Sequence, residues 1–354
     1  MDLKSMLTTA HERRASDLHL TVGRPPTLRI TGALFKMPLP ILKPEDTERL
    51  AGEIMPPLQR QMFEQRGEID LSYSVTGLGR YRVNVYRQRG SIGIAMRVIP
   101  EEIPSFDALN IPAVVRGLTE KVDGLIIVTG PTGHGKSTTL AAMVDRINAT
   151  RGVHIVTLED PIEYLHRHNL SMVNQREVFV DTQSFVAGLR SALREDPDVI
   201  MVGEMRDLET IATAISAAET GHLVLATLHT PSASQTIDRI VDVFPPHQQP
   251  QIRIQLSMVL EAVVAQRLLP KIDGSALVLA TEILVATPAI RNLIREGKTH
   301  QIDSLIQTGK KHGMHTMESD LRRLYETGVI GSDQYNLYAR DSTTDVMNRQ
   351  SVGI

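Results

Sequence analysis

The stretch that decides the fold of this chain is Gly130-Pro131-Thr132-Gly133-His134-Gly135-Lys136-Ser137-Thr138. It fits the phosphate-binding loop pattern G-x-x-x-x-G-K-S/T, with Gly130 and Gly135 as the fixed glycines. Glycines let the backbone curl until successive N–H groups point at phosphate oxygens, while Lys136 adds a positive charge. Ser137 supplies a hydroxyl that can bind Mg²⁺. We therefore interpret this whole stretch as a nucleotide-binding loop that works with ATP and Mg²⁺.

The residues on either side of the loop match the structure that the motif requires. Leu125–Val128 is an apolar run that predicts a buried strand, and Lys136–Ile147 has the pattern of a helix. A helix that begins at the loop directs its first N–H groups at the phosphate. The alternation continues, with predicted strands at Ile155–Leu158, Val199–Val202 and Leu223–Leu228 and predicted helices at Phe185–Leu193 and Leu208–Ala218. It predicts an α/β domain with a parallel sheet covered by helices on both faces.

Beyond Thr230 the pattern becomes largely helical. The predicted helices are Ala233–Val243, Gln251–Arg267, Ala289–Glu296 and Met317–Tyr325. A hairpin-like insertion around Ile272-Asp273-Gly274 interrupts them, because glycine beside a short polar residue is typical of a tight turn.

Residues 1–99 differ from the rest of the chain in their hydrophobic pattern, which predicts a small α+β domain. Helical periodicity from Glu45 to Met62 breaks at Pro56-Pro57, because proline cannot continue a helix interior. Short glycine turns join three predicted strands into an antiparallel meander: Ile69–Val75, Arg80–Tyr86 and Ile92–Ile99. We place a proline-marked linker at 100–112, the ATP-binding domain at 113–340 and a polar tail at 341–354.

The composition excludes several classes of protein. The 354 residues include no cysteine, which rules out disulfides and cysteine-based metal sites or nucleophiles. No secretory signal opens the chain and no apolar run approaches the length of a membrane span, so we expect a cytoplasmic protein. A net charge of −3, only 4% aromatic residues and no tryptophan argue against nucleic acid as a partner.

Carboxylates follow two of the predicted strands. Glu204 ends one strand, and Glu159, Asp160 and Glu163 follow another. The carboxyl ends of parallel strands meet beside the phosphate loop, where a carboxylate can hold Mg²⁺ or polarise water. Ser137 and Glu204 are the candidate metal ligands. Glu204 and Glu163 are both candidates to activate water, and the sequence does not rank them.

Two histidines, His222 and His229, bracket the predicted strand Leu223–Leu228. A role in sensing the γ-phosphate or in holding the acidic loops suits them better than metal binding. Seven residues separate them, so they point to opposite faces of a straight strand. We therefore expect at most one of them to face any single site, although both are catalytic candidates.

Arginines provide candidate charge for the leaving phosphate. The stretch 77–98 holds Arg80 and Arg82 on one face of a strand and contains no acidic residue. It is either a solvated basic face or a source of arginine fingers that reach nucleotide across a domain or subunit boundary. Arg190 and Arg194 share a helix face and are further candidates to bind the nucleotide.

Four segments, in order, resemble the secretion ATPases of type II secretion systems and type IV pili. They are the loop GPTGHGKST, the acidic segment IVTLEDPIEY, the strand segment LREDPDVIMVGEMRD and the histidine segment TGHLVLATLHT. The opening ASDLHL at 15–20 also matches that family, and the resemblance extends over about residues 1–340. AIRNLIRE at 289–296 is similar to a motif of the pilus retraction ATPases and points to retraction rather than assembly.

The resemblance implies a PAS-like domain followed by a RecA-like P-loop NTPase domain, assembled as a ring of six. It implies that nucleotide lies between the two domains and that Arg80 and Arg82 close on it. It assigns Glu204 to the Walker B glutamate and Glu163 to a catalytic acidic-box glutamate. The implied function is ATP-driven retraction of type IV pili, with an inner-membrane platform protein and the pilus machinery as partners. The chain would then reach the membrane through those partners.

Three alternatives stay open at this point. The motor could serve pilus assembly or type II secretion, since only residues 289–296 indicate the direction of force. A RecA-like nucleic-acid translocase would need a basic channel, against which the net charge counts. A nucleotide-gated regulator would not need the full set of acidic residues.

His134 departs from the family pattern, which usually has serine at this position of the loop. Either the side chain is tolerated facing outward, or its imidazole titrates near neutral pH close to the phosphates. Our hypothesis is that His134 makes turnover more sensitive to pH than serine would.

Overall fold

The computed structural model describes residues 2–99, 102–274 and 276–338, and the chain divides into two units. The first unit contains the described residues of Met1–Glu102 together with Pro161–Leu165. The second contains Ile103–Asp160 and the described residues from His166 onward. The polar tail predicted at 341–354 lies outside the described residues.

The first unit is built on an antiparallel sheet. Its elements are α1 (Leu3–Glu12), β1 (Asp17–Leu20), β2 (Thr27–Ile30), β3 (Ala33–Lys36), α2 (Pro44–Ile54), α3 (Pro57–Arg66), β4 (Glu68–Val75), β5 (Gly79–Gln88) and β6 (Ser91–Ile99). The strand order is β3-β2-β1-β6-β5-β4. The predicted meander of β4, β5 and β6 is confirmed, as is the helix break, since α3 begins at Pro57. The sequence did not predict β3, which is short and exposed along its length.

The second unit carries the phosphate loop. Its strands are β7 (Gly124–Thr129), β8 (His154–Glu159), β9 (Met172–Glu177), β10 (Val199–Val202), β11 (Leu223–Leu228), β12 (Leu260–Pro270) and β13 (Leu277–Val285). Its helices are α4 (Ala113–Leu118), α5 (Lys136–Thr150), α6 (Phe185–Ala192), α7 (Leu208–Glu219), α8 (Ala233–Asp242), α9 (Gln249–Val259), α10 (Pro288–Glu296), α11 (Ile302–Thr308) and α12 (Met317–Glu326). Single turns at 299–301 and 310–312 are 3₁₀-helical.

One sheet organises this unit, with the order β13-β12-β7-β11-β10-β8-β9. Every pairing in it is parallel except that of β12 with β13. Both faces are covered: Leu125 and Ile127 of β7 pack in one hydrophobic cluster, and Ile126 and Val128 pack in another. The predicted α/β architecture is therefore confirmed, and the carboxyl ends of β7, β8, β10 and β11 meet at one edge.

The helix predicted over Gln251–Arg267 is wrong in its second half. Helix α9 ends at Val259, and β12 begins at Leu260 and pairs in parallel with β7. Strand β12 is buried on both faces, so its residues lack the alternation that identifies a half-exposed strand. The insertion predicted around Ile272 is the turn between β12 and β13.

Beyond the phosphate loop, the hairpin of β12 and β13 joins the last described helices. Leu269 belongs to a group of buried side chains that we call the C-terminal cluster: Leu269, Val278, Ala280, Leu321, Leu324 and Ile330. The Arg267 guanidinium lies 4.9 Å from the centre of the Tyr338 ring. Strand β12, which runs past the phosphate loop, is thus anchored at its carboxyl end in the C-terminal cluster.

None of the helices in the described residues is long and apolar enough to cross a membrane.

Candidate nucleotide-binding site

The phosphate loop follows β7 and leads directly into α5. Its three glycines all have positive φ: 143° at Gly130, 80° at Gly133 and 81° at Gly135. Gly135 is the N-cap of α5, so the first N–H groups of that helix open onto the loop. A Cβ at Gly130 would lie 2.3 Å from the carbonyl oxygen of Gln266, so only glycine fits between the loop and β12. The loop residues predicted from the sequence therefore form the turn that the motif requires.

Lys136 lies inside this turn rather than in solvent, with 8% of its surface exposed. Its Nζ donates to the carbonyl oxygens of Gly130 at 2.8 Å and Pro131 at 3.0 Å. The ammonium is therefore positioned within the curl of the loop, where the motif needs a positive charge against phosphate. Ser137, in the first turn of α5, is half-buried.

A chain of polar contacts runs from the loop to the end of β10. Lys136 Nζ lies 3.3 Å from His229 Nδ1, and His229 Nε2 lies 3.0 Å from Glu204 Oε1. Since an ammonium can only donate, Nδ1 accepts, and the proton of the neutral ring is on Nε2 facing the carboxylate. Thr132 Oγ1 is also 3.4 Å from Nδ1. The structure thus brings together Lys136, His229 and Glu204, which were predicted separately.

Glu204 is held in its ionised form. Burial acts to raise its pKa, but the hydrogen bonds from Arg206 and His229 and the charge of Arg206 outweigh burial and lower the pKa. Arg206 Nε lies 2.7 Å from Glu204 Oε1. The hydrogen bond to Glu204 is also the main cause that raises the pKa of Arg206, to which Asp160 contributes. The carboxylate is therefore available as a base or as a metal ligand.

The sequence did not identify the residues that fix His229. Thr129 Oγ1, at the end of β7, donates to the carbonyl of Thr230 at 2.7 Å and accepts from its N–H at 2.9 Å. This pair ties the residue after His229 to the strand that precedes the loop. A threonine closing an apolar strand is the only signal in the sequence for it.

His134 does not face outward, which corrects one of the two interpretations from the sequence. Its Nδ1 accepts a hydrogen bond from the Leu268 N–H at 2.9 Å, and its carbonyl accepts from Gln266 Nε2 at 2.7 Å. Burial, then the charges of Arg267 and Lys136, lower the pKa of the imidazole. The ring is thus neutral when it contacts β12, and its titration moves away from neutral pH toward acid.

Glu159, the last residue of β8, lies beside the end of β10, which Glu204 follows. Glu159 is buried, and its Oε1 accepts from Thr157 Oγ1 at 2.7 Å and from Gln175 Nε2 at 3.1 Å. The Gly203 N–H donates to the Leu158 carbonyl at 2.8 Å, which joins the ends of β8 and β10. The hydrogen bonds to Thr157 and Gln175 suit Glu159 to a structural role, in which it stabilises this edge of the sheet.

The structure does not bring every predicted residue to this cluster. His222 precedes β11 at the opposite edge of the sheet, about 20 Å along the strand from His229, and contacts the Ala217 carbonyl at 2.9 Å. Arg190 and Arg194 are exposed around the end of α6, and Arg190 pairs with Glu209 at 3.3 Å. A catalytic role for His222 and a nucleotide-binding role for Arg190 and Arg194 stay predictions.

Arg80, Arg82 and Glu163 belong to the first unit. Arg80 and Arg82 lie on β5, where they alternate with the buried side chains of Tyr81 and Val83, so their shared face is as expected. Arg80 Nη2 donates to Ser72 Oγ at 2.8 Å. Their action on nucleotide stays a prediction.

A magnesium ion would fit the donors at the loop. In the described residues, no group of three or more His, Asp or Glu side chains could hold a metal by itself. Mg²⁺ at nucleotide sites is usually held by one or two protein oxygens, substrate phosphates and water. The hydroxyl of Ser137 and the ionised carboxylate of Glu204 are oxygens of that kind.

Comparisons with known proteins match nearly the whole chain to one family. Residues 1–352 match the family model described as type II/IV secretion system protein. The chain is 48% identical to the type IV pilus retraction ATPase PilT of Pseudomonas aeruginosa over 94% of this chain and 96% of that one. It is 45% identical to a twitching motility protein of Neisseria gonorrhoeae over 90% and 85%. A crystal structure of the pilus retraction motor PilT with bound ADP superposes with a TM-score of 0.89 and 52% identity, over 95% and 96%.

Proposed function

Because this chain belongs to the type II/IV secretion system protein family and is one of its nucleotide-binding P-loop ATPases, we propose that it is the motor that retracts type IV pili. It acts as a ring of six copies at the cytoplasmic face of the inner membrane, on a platform protein of the pilus machinery. Similarity to a retraction ATPase over nearly the whole of both chains supports this choice. The AIRNLIRE segment at 289–296 supports retraction rather than assembly.

The observation that carries the ATPase function is the contact chain from Lys136 through His229 to Glu204. The loop N–H groups and Lys136 bind the phosphates, and Ser137 and Glu204 hold Mg²⁺. When bound, Mg²⁺ would offset charge on the phosphate oxygens. His229 responds to the γ-phosphate, since it contacts both the loop lysine and the carboxylate.

Glu204 is the group that we propose to orient and deprotonate water, because it is ionised and one histidine away from the loop lysine. Glu163 is its alternative in this role. Arg80 and Arg82 supply charge to the nucleotide, with Arg190 and Arg194 as further sources. Closure around ATP and opening after hydrolysis provide the power stroke.

Steady-state ATP hydrolysis by the Lys136→Ala variant tests the site. Loss of the loop charge should abolish turnover while circular dichroism stays unchanged. Lys310→Ala, which alters an exposed lysine, is the matched control and should retain full activity. Near-normal hydrolysis by Lys136→Ala would overturn the assignment.

Pilus dynamics in cells that lack the protein test the direction of force. A retraction motor predicts excess pili that do not shorten, measured by imaging labelled filaments. Complementation with the wild-type gene should restore shortening, and complementation with Lys136→Ala should not. Loss of pili would instead show an assembly motor, and unchanged pili would remove the pilus from the proposal.

A further inference from the structure

The buried polar residue Gln266 contacts His134 of the phosphate loop but is not itself part of the loop motif. It lies on β12, with 1% of its surface exposed, beside Arg267 and between the apolar stretches Ala262–Ala265 and Leu268–Leu269. A buried carboxamide is costly unless its oxygen and nitrogen are hydrogen-bonded. Its partners therefore indicate why glutamine occupies this position.

Both partners of Gln266 belong to the phosphate-binding machinery. Its Oε1 accepts from Thr139 Oγ1 on α5 at 3.0 Å, and its Nε2 donates to the His134 carbonyl at 2.7 Å. A carbonyl can only accept, so the nitrogen must face His134 and the oxygen must face the hydroxyl. Thr139 thus holds the carboxamide in the one orientation that binds the loop.

The bond to the His134 carbonyl fixes a whole peptide plane. In a trans peptide the C=O of one residue and the N–H of the next point in opposite directions. Holding the His134 oxygen on β12 therefore turns the Gly135 N–H away from β12. In this motif the N–H groups of the loop contact the α- and β-phosphates.

Gln266 is joined by two further contacts of β12 with the loop. The Leu268 N–H donates to His134 Nδ1, and the Gln266 carbonyl oxygen lies against Gly130. The loop therefore rests on β12 at its first glycine and again near its last. Between these two contacts, the carboxamide of Gln266 is the side-chain group of β12 that orients the backbone of the phosphate loop.

We propose that Gln266 is a positioning residue for nucleotide: it orients the His134–Gly135 peptide so that the Gly135 N–H meets the β-phosphate. The role rests on nucleotide binding by the loop, which belongs to the proposed function. It predicts a defect confined to ligands that carry a β-phosphate.

Isothermal titration of the full chain with ADP and with AMP tests this role. Gln266→Met keeps the length of the side chain and removes both hydrogen bonds. We expect affinity for ADP to fall about 5- to 30-fold, the effect of losing a buried hydrogen bond near a charged ligand. Affinity for AMP should change less than about twofold, and KM for ATP should rise more than kcat falls.

Two further variants keep the result interpretable. Thr139→Val leaves the carboxamide but removes the hydroxyl that orients it, so ADP affinity should fall in the same direction by a smaller factor. It serves as the test if Gln266→Met does not fold. Gln255→Met is the matched control, because Gln255 lies on α9 and contacts Glu219 rather than the loop.

The outcomes separate this proposal from the function on which it rests. If Lys136→Ala weakens ADP binding and folded Gln266→Met does not, Gln266 has only a structural role. If Gln266→Met weakens ADP and AMP equally, the peptide orientation is not the cause and the proposal is wrong. If Lys136→Ala also binds ADP normally, the site itself is misplaced.

Discussion

At the scale of single residues, the ionised state of Glu204 depends on its neighbours rather than on exposure. Burial opposes ionisation, and Arg206 with His229 more than compensates. Removing Arg206 should therefore raise the pKa of Glu204. The protonated carboxyl can neither bind a metal as an anion nor accept a proton from water.

We predict that Arg206→Ala moves the acid limb of the kcat–pH profile to higher pH. The pKa of the Glu204 carboxyl is lowered in the native protein, and the variant loses this effect. Glu204 therefore becomes protonated at a higher pH in the variant. Arg322→Ala, which removes a surface pair with Glu318, is the control and should leave the profile in place. An unshifted acid limb in Arg206→Ala would show that Glu204 is not the titrating group.

The pKa of His134 is lowered as well, but in a histidine this favours the uncharged ring. Its folded-state pKa is lowered, so the contact with Leu268 is fully present above the ordinary histidine value of about 6.5 and is lost as pH falls through the folded pKa. Our hypothesis of greater pH sensitivity is thus restricted to the acid side.

Thermal unfolding without nucleotide, measured from neutral to acid pH, checks this restriction. Relative to His134→Ser, the wild type should lose stability as pH falls below about 6.5, and the two slopes should agree at higher pH. Parallel curves over the whole range would mean that the imidazole contributes nothing that titrates.

The sequence predicted the titratable members of the site but not the side chains that support them. Lys136, Glu204 and His229 follow from motif position and from the rule that strand ends meet at one edge. Gln266 and Thr129 were missed because their importance lies in contacts between elements that are distant along the chain. A glutamine beside Arg267 in the otherwise apolar middle of β12 was the available signal.

At the scale of elements, α10 contains the whole segment that resembles the retraction motif, and the two arginines of this helix have different environments. Arg291 points inward: it donates to the carbonyls of Ser257 and Met258 at 3.0 and 2.6 Å and pairs with Glu261 at 2.6 Å. It therefore satisfies carbonyls at the end of α9. Arg295 is exposed on the same helix.

We predict that Arg291→Ala lowers the free energy of unfolding by about 1–3 kcal/mol, because Glu261 and the carbonyls at the end of α9 lose a charged donor. Arg295→Ala should change it by less than about 0.5 kcal/mol. Urea denaturation of both variants makes the comparison. Equal free energies of unfolding for the two variants would mean that Arg291 does not stabilise the fold and instead serves contacts with other molecules.

The close approach of β12 to the loop gives a second prediction at this scale. Gly130→Ala must displace either the loop or β12, because its Cβ would meet the Gln266 carbonyl. Gly133→Ala has a positive φ but no atom within 4 Å. We expect Gly130→Ala to lose detectable ADP binding by titration, and Gly133→Ala to lose about tenfold at most, the strain of one left-handed residue.

Strand β12 also shows where pattern reading fails. Helix α9 ends in the apolar pair Met258-Val259 and β12 follows at Leu260 without a loop, so no break in composition marks Val259 as a helix end. Strands β7, β10 and β11 are equally buried, but turns and polar residues bound them. Their prediction succeeded because of those boundaries.

At the scale of the whole molecule, each unit has its own hydrophobic core, and the phosphate loop belongs to the second. ADP at about 100 times its Kd should stabilise the folded form that binds it by about 2.7 kcal/mol. Scanning calorimetry should show the transition of the second unit moving up with ADP. Lys136→Ala should show no such movement, and an equal shift in that variant would place ADP elsewhere.

The alternation of strands and helices predicted the architecture of the second unit, and the meander predicted half of the first. Turn glycines and prolines carried much of that information. The order of the strands in the larger sheet could not be read in the same way, because β12 enters beside β7 from more than 100 residues further along the chain.

Strand β12 has a mechanical consequence for a protein that works against load. Over Ala262–Pro270 it is bonded to β13, and its outer end is anchored in the C-terminal cluster. A pull along that strand would load its hydrogen bonds side by side, so that they share the tension instead of opening one after another. Strand β12 also supports the phosphate loop, at Gly130 and at His134. A force applied to the last helices would therefore be transmitted through β12 to the phosphate loop with little loss of displacement.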